Sequence, residues 1–146
     1  MLKKIILLIF LLTFNIICTG CNSAEHNDIL IENQWKMEFI SDLDGNILVT
    51  NLEQTNLAED VRDMRLSFSK DGTVTLKDLT NGEDLSGTYT SEKLDNSIKL
   101  EVDFEDKDNI LGTCGLREYG NGEKLYSIVL NSEDKILSFI QTKQSE

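Results

Sequence analysis

The chain has 146 residues, 26 acidic against 14 basic side chains, and a formal charge of −12, which is length for one domain with one hydrophobic core. So acidic a surface repels the phosphates of nucleic acids and anionic lipid headgroups, and this excludes nucleic-acid binding as a function class. With three cysteines, one histidine and no proline, the chain has neither a disulfide framework nor a dense set of catalytic bases.

Taken from the start, Lys3 and Lys4 precede residues 5–17, which are apolar except for Thr13 and Asn15. A positive start, a short apolar run and small residues after it make a signal peptide. The run is 13 residues long, whereas a bilayer-spanning helix takes about 20. Cys18 and Cys21 follow in C-x-x-C spacing. A redox pair requires both thiols in one folded unit, commonly at a helix N-terminus after a strand. A zinc site requires further ligands at matching spacing, and only Cys114 and His26 remain. Cys18-Thr19-Gly20-Cys21 resembles the lipobox of bacterial lipoproteins. That resemblance implies a diacylglyceryl thioether on Cys21 and cleavage on its amino side, with an ordinary cleaved signal peptide as the alternative. The expected division is residues 1–20 removed, 21–33 a tether that becomes ordered near its end, and 34–146 a folded domain. The domain is then lipid-anchored at the extracytoplasmic face of a bacterial cell membrane. Without Lys3 and Lys4, 12 bases face the same 26 acids, a formal charge of about −14. Cys114 is left alone and reads as a small buried hydrophobe.

Beyond the tether, Trp35, Met37 and Phe39 alternate with Lys36 and Glu38, a period that sends the apolar three to one face of a strand. Asp44-Gly45-Asn46 makes a turn, and residues 47–50 return as a partner. Residues 56–64 are the one helical candidate, with Leu57, Val61 and Met64 spaced i, i+4, i+7 and Glu59 and Asp60 near its start. Residues 65–69 and 73–77 alternate on either side of Asp71-Gly72, the strongest hairpin signal in the chain. Strands follow over 85–90 and 97–105; in the second, Ile98, Leu100, Val102 and Phe104 alternate with charged residues, a pattern with one buried and one wet face. A strand within 110–119, a turn at Gly120-Asn121-Gly122 and a hairpin of 125–131 with 135–142 complete the chain. Eight or nine short strands at this spacing predict an all-β fold with one short helix. Its form is a small antiparallel up-and-down β-barrel, with a β-sandwich as the alternative.

Trp35 near the start of the first strand, Phe68 to Thr73 as strand, turn and strand, and Ser86-Gly87-Thr88-Tyr89 opening a later strand resemble the lipocalin-like domains of small bacterial lipoproteins over residues 33–142. The resemblance implies that Trp35 plugs the base of the barrel. Trp35, Phe39, Phe68, Tyr89, Phe104, Tyr126 and Phe139 are the expected interior or ligand-lining set, filling the barrel or lining a space within it.

Residues with chemistry to offer are few. Asp42, Asp44, Asn46 and Glu53 imitate the oxygen spacing of a calcium loop, but Ile47 stands where that loop needs glycine, and a hairpin turn is the competing reading. Asp103, Glu105, Asp106 and Asp108 read as a wet strand face running into a turn. His26, in the tether, is the one histidine available as a base, so no nucleophile is activated. No enzyme, cofactor or resident metal is expected. Two functions of different class follow. One is a membrane-tethered binding module for a small apolar ligand or envelope component. The other is a surface interaction module (an inhibitor, immunity or exclusion factor) that meets a cationic envelope protein with its acidic face.

Overall fold

The computed structural model describes residues 24–51, 60–105 and 109–142, with residues 24–27 and 60 placed by their backbone only. In chain order the elements are a helix α1 (Ala24–Glu32) and strands β1 (Gln34–Asp42), β2 (Ile47–Thr50), β3 (Asp60–Val61), β4 (Met64–Phe68) and β5 (Thr73–Asp78). They continue with β6 (Glu83–Lys93), β7 (Ser97–Phe104), β8 (Ile110–Glu118), β9 (Lys124–Asn131) and β10 (Lys135–Thr142). The strands form one sheet in the order β10-β9-β8-β7-β6-β5-β4-β1-β2-β3, and pairing of β10 with β1 closes it. Eight strands therefore make a closed antiparallel up-and-down barrel of lipocalin-like form, with β2 and the two-residue β3 attached outside the ring. Closure removes the exposed sheet edges a sandwich would keep.

The seam explains the side strands. One edge of β1 pairs with β10 from Gln34 to Asp42. Its other edge pairs with β4 only at Trp35 and Lys36, and then with β2 from Phe39 to Ser41. Between the two, a bulge at Glu38 shifts the register against β10, so that Met37 faces Phe139 while Phe39 faces Ser138. An extra residue in one strand bends it and flips the alternation beyond it.

Inside the ring the alternation expected of a half-buried sheet holds. Met37, Leu66, Val74, Leu100, Val102, Ile128, Leu130 and Phe139 are at most 1% exposed and fill the middle of the barrel. Gly112 on β8 makes this packing fit: a Cβ there would lie 2.5 Å from Leu130 Cδ2 and 2.8 Å from the Val129 carbonyl oxygen. The β4–β5 hairpin closes on Asp71-Gly72 as its sequence predicts. Gly72 has φ +85°, and the Asp71 carboxylate accepts a hydrogen bond from the Thr73 amide at 3.0 Å.

Two segments differ in type from the sequence pattern. The helix expected over 56–64 is not formed by its described part, because residues 60–61 are β3 and Met64 begins β4; residues 56–59 lie outside the described residues. Here Asp60 and Val61 run parallel to Val49 and Thr50, and the edge of β2 supplies the backbone partners that a helix would have supplied internally. The region expected as tether contains α1, whose last turn carries Ile29, Leu30 and Ile31 against the core, with Leu30 fully buried. No helix among the described residues is long and apolar enough to cross a membrane.

Candidate functional site: the two ends of the barrel

The two barrel ends differ. The lower end, where β1 begins, is held by α1. The Trp35 indole N–H donates to the Leu30 carbonyl at 3.1 Å, Asn33 Nδ2 donates to the Ile29 carbonyl at 2.7 Å, and Gln141 Nε2 donates to Asn33 Oδ1 at 2.7 Å. The first and third tie the helix end to β1 and β10, and the second satisfies a last-turn carbonyl of the helix itself. Phe68 and Tyr89 meet edge to face with centroids 4.8 Å apart, and the Tyr89 hydroxyl donates to the Ser69 carbonyl at 3.1 Å. Burial, with the nearby Asp71 charge, pushes the Tyr89 phenol up. Beside α1 a cavity of about 450 Å³ is lined by Ile29, Ile98, Cys114, Leu116 and Tyr126 together with the β6–β7 turn. Burial pushes the Cys114 thiol up to about 12, so at neutral pH it is an inert apolar wall.

At the upper end, where the β5–β6, β7–β8 and β9–β10 connections lie, a cavity of about 660 Å³ opens into the barrel. Met64, Leu76, Leu85, Phe104, Ile110 and Leu137, contributed by β4, β5, β6, β7, β8 and β10, line its wall. Asn109 and the turn residues Ser132, Glu133, Asp134 and Lys135 form its rim. Leu85 is 39% exposed within this mouth, and no described residue closes over it. Ligand sites are typically concave, mostly apolar and about 300–1,000 Å³, with a few polar groups at one side; the upper cavity has that character.

Of the seven aromatic residues expected inside, Trp35, Phe68, Tyr89, Phe104 and Phe139 are buried core residues and Tyr126 packs partly buried against them. Phe39 is a correction. The Glu38 bulge sets it opposite Ser138, between the inward-facing Leu137 and Phe139, so Phe39 lies on the outer face. Only Phe104 of the set reaches the upper cavity and only Tyr126 the lower; the others fill the barrel. Trp35, fully buried beneath α1, occupies a packing position at the base.

The calcium-like loop is a turn brace. Both carboxylate oxygens of Asp42 accept from Asn46, from its amide at 2.8 Å and its side chain at 2.7 Å, and these bonds hold the Asp42 carboxyl below its ordinary value. Gly45 takes the bend with φ +88°, and Glu53 lies outside the described residues, as do Cys21, Asp106 and Asp108. Among the described residues no three His, Cys, Asp or Glu side chains gather closely enough to hold a metal ion.

Two polar clusters escape the sequence reading. On the outer face Glu38 accepts from Ser138 Oγ at 2.9 Å, Arg117 at 3.2 Å and the Tyr119 hydroxyl at 3.2 Å, a clasp over the bulge that leaves Ser138 only 1% exposed and so unavailable as a nucleophile. At the upper end buried Asp78 accepts from the amides of Thr80 and Asn81 at 2.9 and 3.0 Å and from Arg62 at 3.5 Å. Burial raises its carboxyl, but the amide bonds and the Arg62 charge outweigh that and hold it below the usual value. Asp78 thereby fastens the β5–β6 turn to the segment entering β4.

No protein-family model and no curated protein sequence matches this chain.

Proposed function

We propose that this protein is a membrane-tethered extracytoplasmic lipoprotein whose barrel receives a small apolar ligand through its upper mouth. The observation that carries the reading is the upper cavity itself, about 660 Å³ ringed by six apolar side chains from six strands, at the end of the barrel opposite the helix. A folded domain this acidic exposes such a surface at a cost in water, and an apolar guest removes it. The lipobox at Cys21 supports tethering. Cys21 stands three residues ahead of α1, a connector that spans at most about 11 Å. Because α1 sits on the lower end, this short reach would hold that end toward the bilayer and turn the mouth away from it.

The test is native mass spectrometry of the protein extracted from its own membranes. The expected spectrum shows a chain beginning at acylated Cys21 and a releasable apolar adduct. Leu85→Asn, which alters only the mouth, should lower adduct occupancy at least tenfold while the barrel stays folded. An unacylated chain retaining residues 1–20 would sink the tethering, and equal occupancy in the Leu85→Asn protein would sink the cavity as the site.

A further inference from the structure

Resting on the upper cavity as the ligand site, the charge around its mouth specifies what kind of molecule enters. Glu133 and Asp134 line the rim itself, and Glu83 opens β6 two residues before the cavity residue Leu85, on the same side of the strand. All three are exposed. Among the described residues at this end, three bases are paired with acids, and Lys77 stands opposite Asp84 on the outer face. Lys135 Nζ lies 3.5 Å from Asp134, Arg62 3.5 Å from Asp78, and Arg65 Nε 2.9 Å from Asp63. Glu83 and Glu133 have no ion-pair partner among the described residues. The mouth therefore carries excess negative charge over an apolar funnel.

From this juxtaposition we propose that the ligand is a single-chain cationic amphiphile, its hydrocarbon chain in the funnel and its ammonium head at the acidic rim. Low-dielectric walls focus the field of the rim charges along the entrance. An anionic head such as a carboxylate or sulfate meets the same field with opposite sign, and a like charge at an entrance is a strong discriminator. The chain supplies affinity and the head supplies selection. Each methylene added within the cavity's depth then improves affinity about threefold to fourfold.

The test uses the mature chain, residues 21–146 carrying Cys21→Ser so that it stays in solution. The core cluster runs from Leu30 to Phe139, and this chain retains all of it. Binding of decyltrimethylammonium, decanol and decyl sulfate is measured by calorimetry below their micellar concentrations, at low salt and at 0.5 M salt. The cation is expected to bind at least tenfold more tightly than the sulfate, with decanol between them and the gap narrowing at high salt. Glu83→Gln and Glu133→Gln together should weaken the cation about threefold to tenfold and leave decanol unchanged. Equal affinity for all three probes, or preference for the sulfate, overturns the cationic assignment while leaving an apolar site in place. Binding of none of them overturns both.

Discussion

The lower and upper ends of this barrel are built from the same alternating strands and reach opposite outcomes. At the lower end the inward residues meet a helix: Leu30 is fully buried, Trp35 donates to its carbonyl, and Asn33 is fixed by Gln141. At the upper end the inward residues Leu85 and Leu137 meet no such element among the described residues, and Leu85 keeps 39% of its surface exposed. The comparison teaches that alternation decides which side chains face the interior, whereas a capping element decides whether they become closed core or keep exposed surface.

The contrast can be broken most severely at the base. Trp35→Ala removes a fully buried indole and the bond that holds α1, and should destabilise the barrel by about 3–5 kcal/mol, read as a lowered denaturant midpoint. Gly112→Val in the middle forces a side chain against Leu130 and the β9 backbone and should cost about 1–3 kcal/mol by the same measurement. Asp78→Ala leaves the Thr80 and Asn81 amides without their acceptor. A loss of about 1–3 kcal/mol is expected, with hydrogen exchange quickened at the β5–β6 turn and not at α1.

Finer effects sharpen the comparison. Because the folded Cys114 thiol stands near 12 against an ordinary value of 9.0, the folded chain keeps its proton where the unfolded chain has released it. Stability should be unaffected by this group below about pH 9 and fall as the pH climbs toward about 12. Thermal unfolding across that range checks the sign, with Cys114→Ala as the control that lacks this component. Leu85→Asn at the mouth should change stability by less than about 0.5 kcal/mol, in keeping with a side chain that lies outside the closed core.

Much of the architecture was legible in the sequence because it is local. The Asp71-Gly72 hairpin, the alternation of Ile98 to Phe104 and the last hairpin each carry their own turn and period, and the all-β barrel follows from their spacing. Phe39 faces outward where local alternation alone would turn it inward, because the bulge at Glu38 is held by a clasp from Ser138, Arg117 and Tyr119, residues some 80 to 100 positions away that no local window contains. Val61 is a strand residue within a helical spacing for a similar reason: its partner Thr50 is a tertiary neighbour. Of the candidate site, the aromatic list found Phe104 alone. The rest of its apolar wall lies where strands enter or leave the turns, so only the closure of β10 on β1 brings Met64, Leu85 and Leu137 to one mouth.

The claim that function resides in the upper end is tested most directly by amide chemical-shift mapping of residues 21–146 carrying Cys21→Ser, titrated with decyltrimethylammonium. The account predicts saturable shifts clustered at Met64, Leu76, Leu85, Phe104, Ile110 and Leu137, with α1 and the residues around Trp35 unmoved. Shifts centred instead on Ile29, Ile98 and Tyr126, or no saturable shift anywhere, would contradict it.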